Sequence, residues 1–444
     1  MKTDRQLLFE QASIPKAYFT LTIPSVLGKI VMLLYNMADT WFIAATGDTH
    51  LVAGVALSGP VFMLMVAMGD IFGMGGSSVI SRLFGKGDVD SARRVSSFCF
   101  YGAILSGFMT TALLLVFQDP ILMLLGADHD TLLHAADYYR WIALGAPLII
   151  TSIVPLNLLR SEGMAKASMF GSATGSITNI ILDPIFIFGL NMGAAGAAIA
   201  TVLSNAASMI VYLFFIVRKA HVLTVSPRFF THKMEHIRPV FSIGLPASAN
   251  NLMNSLGQII CNRFLLLYGS EKIAAAGIAS KITMIPAMMI VGFAFSAGPL
   301  IGYNYGQGNK TRLKQILKFF YTFQIATSCG VALVMTAAAP YLVRCFMEDP
   351  FIVTAGTEYL RWHLVGMPFM SIVLVSACLM QATGNARGAL ILSLSRQGVI
   401  FLAVIVLANA LLGYQGVIAS QAIADLLSAA IACWLVRKDI FSRL

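Results

Sequence analysis

Two carboxylates lie where an apolar chain seldom tolerates them. Asp39 and Asp183 both sit inside long apolar runs. Tyr35 precedes Asp39 by four residues, and Asn179 precedes Asp183 by four, so each pair shares one face of a helix. Pro184 follows Asp183 directly. A proline within a helix removes one backbone hydrogen bond and frees carbonyl oxygens to face an ion or water. Thr201, in the next apolar run, adds a hydroxyl. Two carboxylates, an amide, a phenol and a hydroxyl can hold a proton, shared or on one acid. They can equally hold a sodium ion on oxygen ligands, with Asp39 and Asp183 as its charged donors. The same groups can also simply bridge helices by hydrogen bonds.

A second polar set is neutral. Asn250, Asn254, Gln258 and Asn262 recur every four residues and form an amide stripe along one helix face. That stripe, with Asn36 beside Tyr35, is suited to lining a substrate cleft; the stripe is equally able to hydrogen-bond neighbouring helices. Lys29, Asp70, Arg263, Lys281, Arg396 and Asp425 also fall within apolar runs. Each costs at least ~2.5 kcal/mol to insert in a bilayer, so each needs a partner or a role. Lys29 is ten residues from Asp39, about 15 Å along a helix, and cannot touch it. Asp70, Arg396 and Asp425 are expected to pair internally, with partners that spacing does not identify.

The elements that position these groups follow from composition. Of 444 residues, 58% are hydrophobic and 11% charged, against ~25% charged in an ordinary soluble domain. A soluble enzyme, a nucleic-acid-binding domain and a disordered scaffold are all excluded. A membrane helix needs roughly 20 apolar residues. Twelve runs qualify, at about 17–46, 51–81, 95–117, 137–159, 168–190, 194–217, 239–267, 273–303, 319–340, 359–380, 389–412 and 417–436. They do not alternate, so a β-barrel is excluded. The N-terminal stretch lacks the features of a cleaved signal, and the first run is expected to remain as a span.

With both termini on the inner side, 22 of the 30 Lys and Arg residues fall in inner segments, Lys2 and Arg443 among them. The net charge of +10 is therefore a topology signal, not a nucleic-acid footprint. The six cysteines are scattered without CxxC spacing and read as small packing residues.

The chain also repeats itself at a shift of about 221 residues. TIPSVLG at 22–28 faces GLPASAN at 244–250, and LFGKGD at 83–88 faces NYGQGN at 304–309. YYRWIALGAP at 138–147 faces YLRWHLVGMP at 359–368, and a VRK triplet closes each half. Six spans return the chain to the same side, so the halves are parallel repeats, an architecture of transporters. The expected fold is an all-α integral membrane protein, with twelve transmembrane helices in two parallel pseudo-symmetric six-helix bundles. An N-lobe spans 1–217, a cytoplasmic linker 218–238 and a C-lobe 239–444. The repeat supplies an internal control as well. The second-half counterparts of Asp39, Asn179, Asp183 and Thr201 are about Cys261, Ile400, Val404 and Gln421. Both acids are gone, which marks the first-half chamber as a dedicated ion site rather than scaffold.

Over essentially its whole length the chain resembles the MATE (multidrug and toxic compound extrusion) transporters. The resemblance rests on Pro24 with Tyr35-Asn36-Met37-Ala38-Asp39, on Phe84-Gly85-Lys86-Gly87-Asp88, on Arg160-Ser161-Glu162-Gly163, and on Asn179 with Asp183-Pro184. It is nearer the bacterial DinF-like branch, because the acids that NorM-like members carry in spans seven and ten are missing.

The resemblance implies a secondary active exporter of small organic, often cationic compounds. It would work by alternating access at a cleft between the lobes, in exchange for H+ or Na+. Pro24 and Pro184 would be its helix kinks. No cofactor beyond the coupling ion and no nucleic acid are expected; the expected partners are the small organic substrates and the lipid bilayer. The chain would act as a monomer in the bacterial cytoplasmic (inner) membrane. The other transport reading is a flippase or exporter of lipid-linked saccharide within the same superfamily. An enzyme is not expected. The seven His residues lie mostly in loops and span ends, His129 included, and His232 and His236 sit in a basic loop. A Walker A motif is also absent.

Overall fold

The computed structural model describes residues 4–126, 131–347 and 349–442; Lys2, His129 and Arg443 lie outside them. The described residues are almost entirely helical. The first half holds α1 (Asp4–Glu10), α2 (Ile14–Ala45), α3 (Thr49–Leu57), α4 (Gly59–Lys86), α5 (Val89–Val116), α6 (Gln118–Leu124), α7 (Leu132–Ser161), α8 (Ala165–Pro184) and α9 (Gly193–Lys219). The second holds α10 (Met234–Leu266), α11 (Ser270–Ser296), α12 (Gly298–Gln307), α13 (Lys310–Arg344), α14 (Pro350–Thr383), α15 (Ala386–Leu394), α16 (Ile400–Leu412) and α17 (Tyr414–Val436). Every one of the twelve apolar runs maps onto one of these helices or onto two in succession. Among the described residues, ten helical stretches are long and apolar enough to cross a membrane. The protein is a multi-pass membrane protein.

Lipid-facing surfaces follow from the same apolar excess. On α5, Leu105, Phe108, Met109, Leu113 and Val116 are exposed at three- and four-residue spacing, and on α16 so are Leu402, Val406, Leu407 and Leu411. In water such stripes would drive aggregation; in hydrocarbon they are the solvated face. The cysteines divide. Cys99, Cys261 and Cys378 are buried, as packing requires, whereas Cys329, Cys345 and Cys433 are exposed.

The chain divides into two compact units: residues 1–5 with 23–248, and residues 6–22 with 249–444. In the first, α7 is the central helix and packs against α3, α4, α5 and α9, while α8 packs on α9. In the second, α14 is central and packs against α11, α13 and α17. These two central helices carry the YYRWIALGAP and YLRWHLVGMP repeats. The shared turn after α4 and α12 has one design. Gly87 (φ 78°) and Gly308 (φ 76°) take left-handed backbone that L side chains resist. Asp88 then caps α5 by accepting the Ser91 N–H, and Asn309 caps α13 by accepting that of Arg312. The Ser91 N–H also holds the Asp88 carboxyl below the usual carboxylate range.

Residues 6–22 pack with the second unit, for identifiable reasons. Phe9 stacks on Tyr303 at 4.9 Å, and the Tyr303 hydroxyl donates to Glu10 at 2.7 Å. The Arg312 guanidinium donates to the carbonyls of Phe9 and Ala12 at 2.8 and 2.6 Å. The division then falls within α2, between Thr22 and Ile23, next to Pro24. Helix α2 itself runs unbroken through that proline.

The basic stretch 218–238 is not a slack linker. Buried Glu162, just past the end of α7, accepts the backbone N–H groups of His221, Val222 and Leu223 and pairs with Arg5. Ser96, Ser97 and Tyr101 on α5 donate to the carbonyls of Thr224, Ser226 and Val225. After this strap, α10 approaches α4 backbone to backbone. A Cβ on Gly244 would stand 2.0 Å from the Ile71 carbonyl oxygen, and one on Gly75 would stand 2.3 Å from that of Val240. Gly244→Val is expected to destabilise the protein by about 3 kcal/mol. The thermal midpoint of the purified protein in detergent, read by size exclusion after heating, checks this against wild type.

Candidate functional site

Helix α8 ends on the sequence Asn179-Ile-Ile-Leu-Asp183-Pro184, and a single π turn, Ile185–Gly189, follows at once. Proline cannot donate the next ladder bond, so the helix widens at that point. Asn179 and Asp183 are wholly buried; the two polar side-chain atoms of Asn179 have no hydrogen-bond partner among the described residues, and the Asp183 carboxyl is within hydrogen-bonding reach of Asp39. Buried polar groups normally find partners, because leaving one unmet costs about 1–3 kcal/mol. A fully buried acid that faces a second carboxylate, beside a fully buried amide, is a place where a proton or a cation relieves the repulsion.

Helix α2 closes the pocket. Asp39 is half-buried and within electrostatic reach of Asp183. Tyr35, one turn earlier, interacts with Asp39, Asp183 and Thr201, and Thr201 is buried on α9. The structure thus brings Tyr35, Asp39, Asn179, Asp183 and Thr201 together from α2, α8 and α9. It adds a residue that sequence reasoning missed. Tyr138, near the start of α7, is buried and interacts with Asp39, Asp183, Tyr35 and Thr201. The signal that could have found it is the repeat. Its second-half counterpart Tyr359 places its hydroxyl 3.5 Å from the Sγ of Cys261, the residue that stands for Asp39. The geometry of the tyrosine survives in both halves; the acid survives in one.

Two charges repelling across a dry pocket are costly, so the pair holds one proton or one monovalent cation far more easily than two bare carboxylates. The neutral oxygens of Tyr35, Tyr138, Asn179 and Thr201 complete a set that suits either ion. Tyr138→Phe is expected to slow ion-driven transport several-fold, whereas Tyr359→Phe and Cys261→Ser leave it unchanged. Initial rates in proteoliposomes, with protein levels matched, separate these outcomes.

The remaining candidates sit elsewhere. Asn36 is half-buried on α2, and its carbonyl accepts the Thr40 hydroxyl at 2.8 Å. On α10, Asn254 donates to the Asn250 carbonyl at 2.9 Å and Gln258 to the Asn262 side chain at 3.1 Å. The amide stripe therefore bonds largely to itself. Lys29 interacts with Asp70 and Arg160 in the first unit. In the second, Arg396 donates from Nε to Asp425 at 2.8 Å, a buried pair that the sequence left without partners.

The MatE family profile matches residues 24–185 and 246–412, and the chain belongs to that family. It is 32% identical over 441 residues to the multidrug export protein MepA of Staphylococcus aureus (strain NCTC 8325 / PS 47), covering 98% of this chain and 96% of that one. Among solved structures, it is similar to an outward-facing multidrug resistance MATE transporter of the MOP superfamily. The TM-score is 0.92 at 26% identity, with 100% of this chain and 99% of that one covered. A MATE structure described as the straight conformation gives 0.93 at 26% identity, again over 100% and 99% of the two chains. These relatives are transporters.

Proposed function

We propose that this protein is a secondary active multidrug exporter. It expels small organic, often cationic compounds in exchange for H+ or Na+, with Asp39 and Asp183 as the groups that take up the coupling ion. One observation carries the reading: Asp183 is wholly buried beside buried Asn179, and its carboxyl faces that of Asp39. Neutralising the pair removes buried charge and changes which conformation is favoured, and a ligand-linked shift of this kind is the essence of exchange. Tyr35, Asn179 and Thr201 line the ion's site. Pro24 and Pro184 give α2 and α8 the local freedom to bend. Asn36, Asn250, Asn254 and Gln258 are the candidate substrate contacts.

The exporter acts as a monomer in the bacterial inner membrane, with both termini on the cytoplasmic side. It needs no catalytic residue and no cofactor. Its MepA-like relatives support the drug-export reading over the flippase reading. The test is purified protein in liposomes loaded with a fluorescent cation and no nucleotide. Export on imposing an ion gradient supports the proposal; strict dependence on ATP refutes it.

A further inference from the structure

The second unit holds a partly open cavity of about 340 Å³ that the ion-coupling chemistry does not use. Its size sits at the lower end of small-molecule pockets, roughly 300–1,000 Å³. Met284, Met367, Met370 and Ala287 supply an apolar wall; Lys281, His363, Arg396 and Asp425 supply its charged and ionisable groups. Methionine walls adapt to ligands of varied shape. The chemistry lies in how the charged groups are engaged.

Asp425 is spoken for. Its Oδ1 accepts Arg396 Nε at 2.8 Å and Gln421 Nε2 at 3.1 Å, and its Oδ2 lies where Gly366 leaves room, 3.1 Å from where a Cβ would stand. Arg396 is not. Only its Nε is engaged among the described residues, which leaves the two terminal nitrogens of the guanidinium fork. Lys281 has no acidic partner among the described residues. His363 presents a buried Nδ1 that also lacks one. Two cations against one committed anion leave the lining with a single positive charge in excess.

The backbone supports the same assignment. Arg396 lies in a π segment, Ser395–Val399, whose Gly398 departs from helical geometry at φ −110° and ψ −109°. Such widened, kinked turns are frequent at functional sites. In the repeat, this is the span that carries Asn179 and Asp183 in the first half. The acid of that span in the first half and the base of the second stand at different registers, Arg396 facing Gly175 in the repeat.

We infer that this cavity is a binding subsite for an amphipathic organic monoanion, whose carboxylate or sulfonate is held by the terminal nitrogens of Arg396 and by the Lys281 ammonium. A forked guanidinium matches a two-oxygen anion in geometry as well as charge. The methionine wall covers the apolar body of the ligand. The subsite goes beyond export of cations, and a binding assay without a transport step keeps the two apart.

The experiment is a fluorescence titration of the purified full-length protein in neutral detergent with N-dansylglycine and, separately, with its uncharged methyl ester. Wild type is expected to bind the acid about tenfold or more tightly than the ester. Lys281→Met and the double variant Arg396→Gln/Asp425→Asn should each lose that preference while binding the ester as wild type does. The double change strands no buried ion, and ester binding reports that the pocket is still folded. Equal affinity for acid and ester in wild type overturns the inference, as does retention of the preference in both variants. Displacement of N-dansylglycine by dioctanoyl phosphatidylglycerol but not by dioctanoyl phosphatidylcholine also overturns it, in favour of a lipid headgroup. None of these outcomes bears on ATP-free export of a cation.

Discussion

Asp183→Asn and Asp39→Asn are each expected to abolish ion-driven efflux while leaving a folded, monodisperse protein. The argument is electrostatic. The carboxylate and the amide have nearly the same shape, so packing around a wholly buried Asp183 is preserved. What is lost is the ability to be charged at one stage of the cycle and neutral at another. The amide resembles the permanently neutralised acid, and a site that cannot change charge cannot favour two conformations in turn. Substrate binding is expected to persist in both variants. Loss of transport together with retained binding therefore identifies a coupling defect rather than a folding one. Equilibrium binding of the fluorescent cation and its gradient-driven export, measured on the same preparations, give the two readings.

Glu162→Ala is expected to be among the most destabilising single changes, at about 3–5 kcal/mol. The carboxylate is wholly buried, accepts three consecutive backbone N–H groups at 2.7, 3.3 and 3.2 Å, and pairs with Arg5. Alanine leaves the N–H groups of Val222 and Leu223, themselves buried, without an acceptor, and leaves the Arg5 guanidinium with only the Lys219 carbonyl. Glu162→Gln keeps one acceptor oxygen and should fall between alanine and wild type. Thermal midpoints in detergent for the three proteins test the order. A Glu162→Ala midpoint equal to wild type would show that water serves these donors as well as the carboxylate does.

Much of this was legible in the sequence because lipid makes charge conspicuous. Asp39 and Asp183 stand out in apolar runs, and helical spacing ties Tyr35 and Asn179 to them. Tyr138 did not stand out. A tyrosine is at home in an apolar helix, and a residue repeated in both halves carries no mark of a role in only one. Only the third dimension shows that it faces the acids in one half and a cysteine in the other. Arg396 and Asp425 were recognisable as needing partners, but pairing across 29 residues depends on the rotation of two helices, which a π turn then alters. The packing of residues 6–22 with the second half was invisible for a similar reason. It rests on Arg312 reaching the carbonyls of Phe9 and Ala12, 300 residues away. The strap at 220–226 reads as a polar loop because nothing local reveals that Glu162 holds its backbone.

The most direct test of the central claim is efflux of a fluorescent cation from proteoliposomes with a pH gradient and a sodium gradient imposed one at a time. Wild type is compared with Asp39→Asn and Asp183→Asn. One of the two gradients should accelerate wild type several-fold, and neither should accelerate either variant. If both variants respond to the gradient as wild type does, the chamber is only structural and the coupling lies elsewhere.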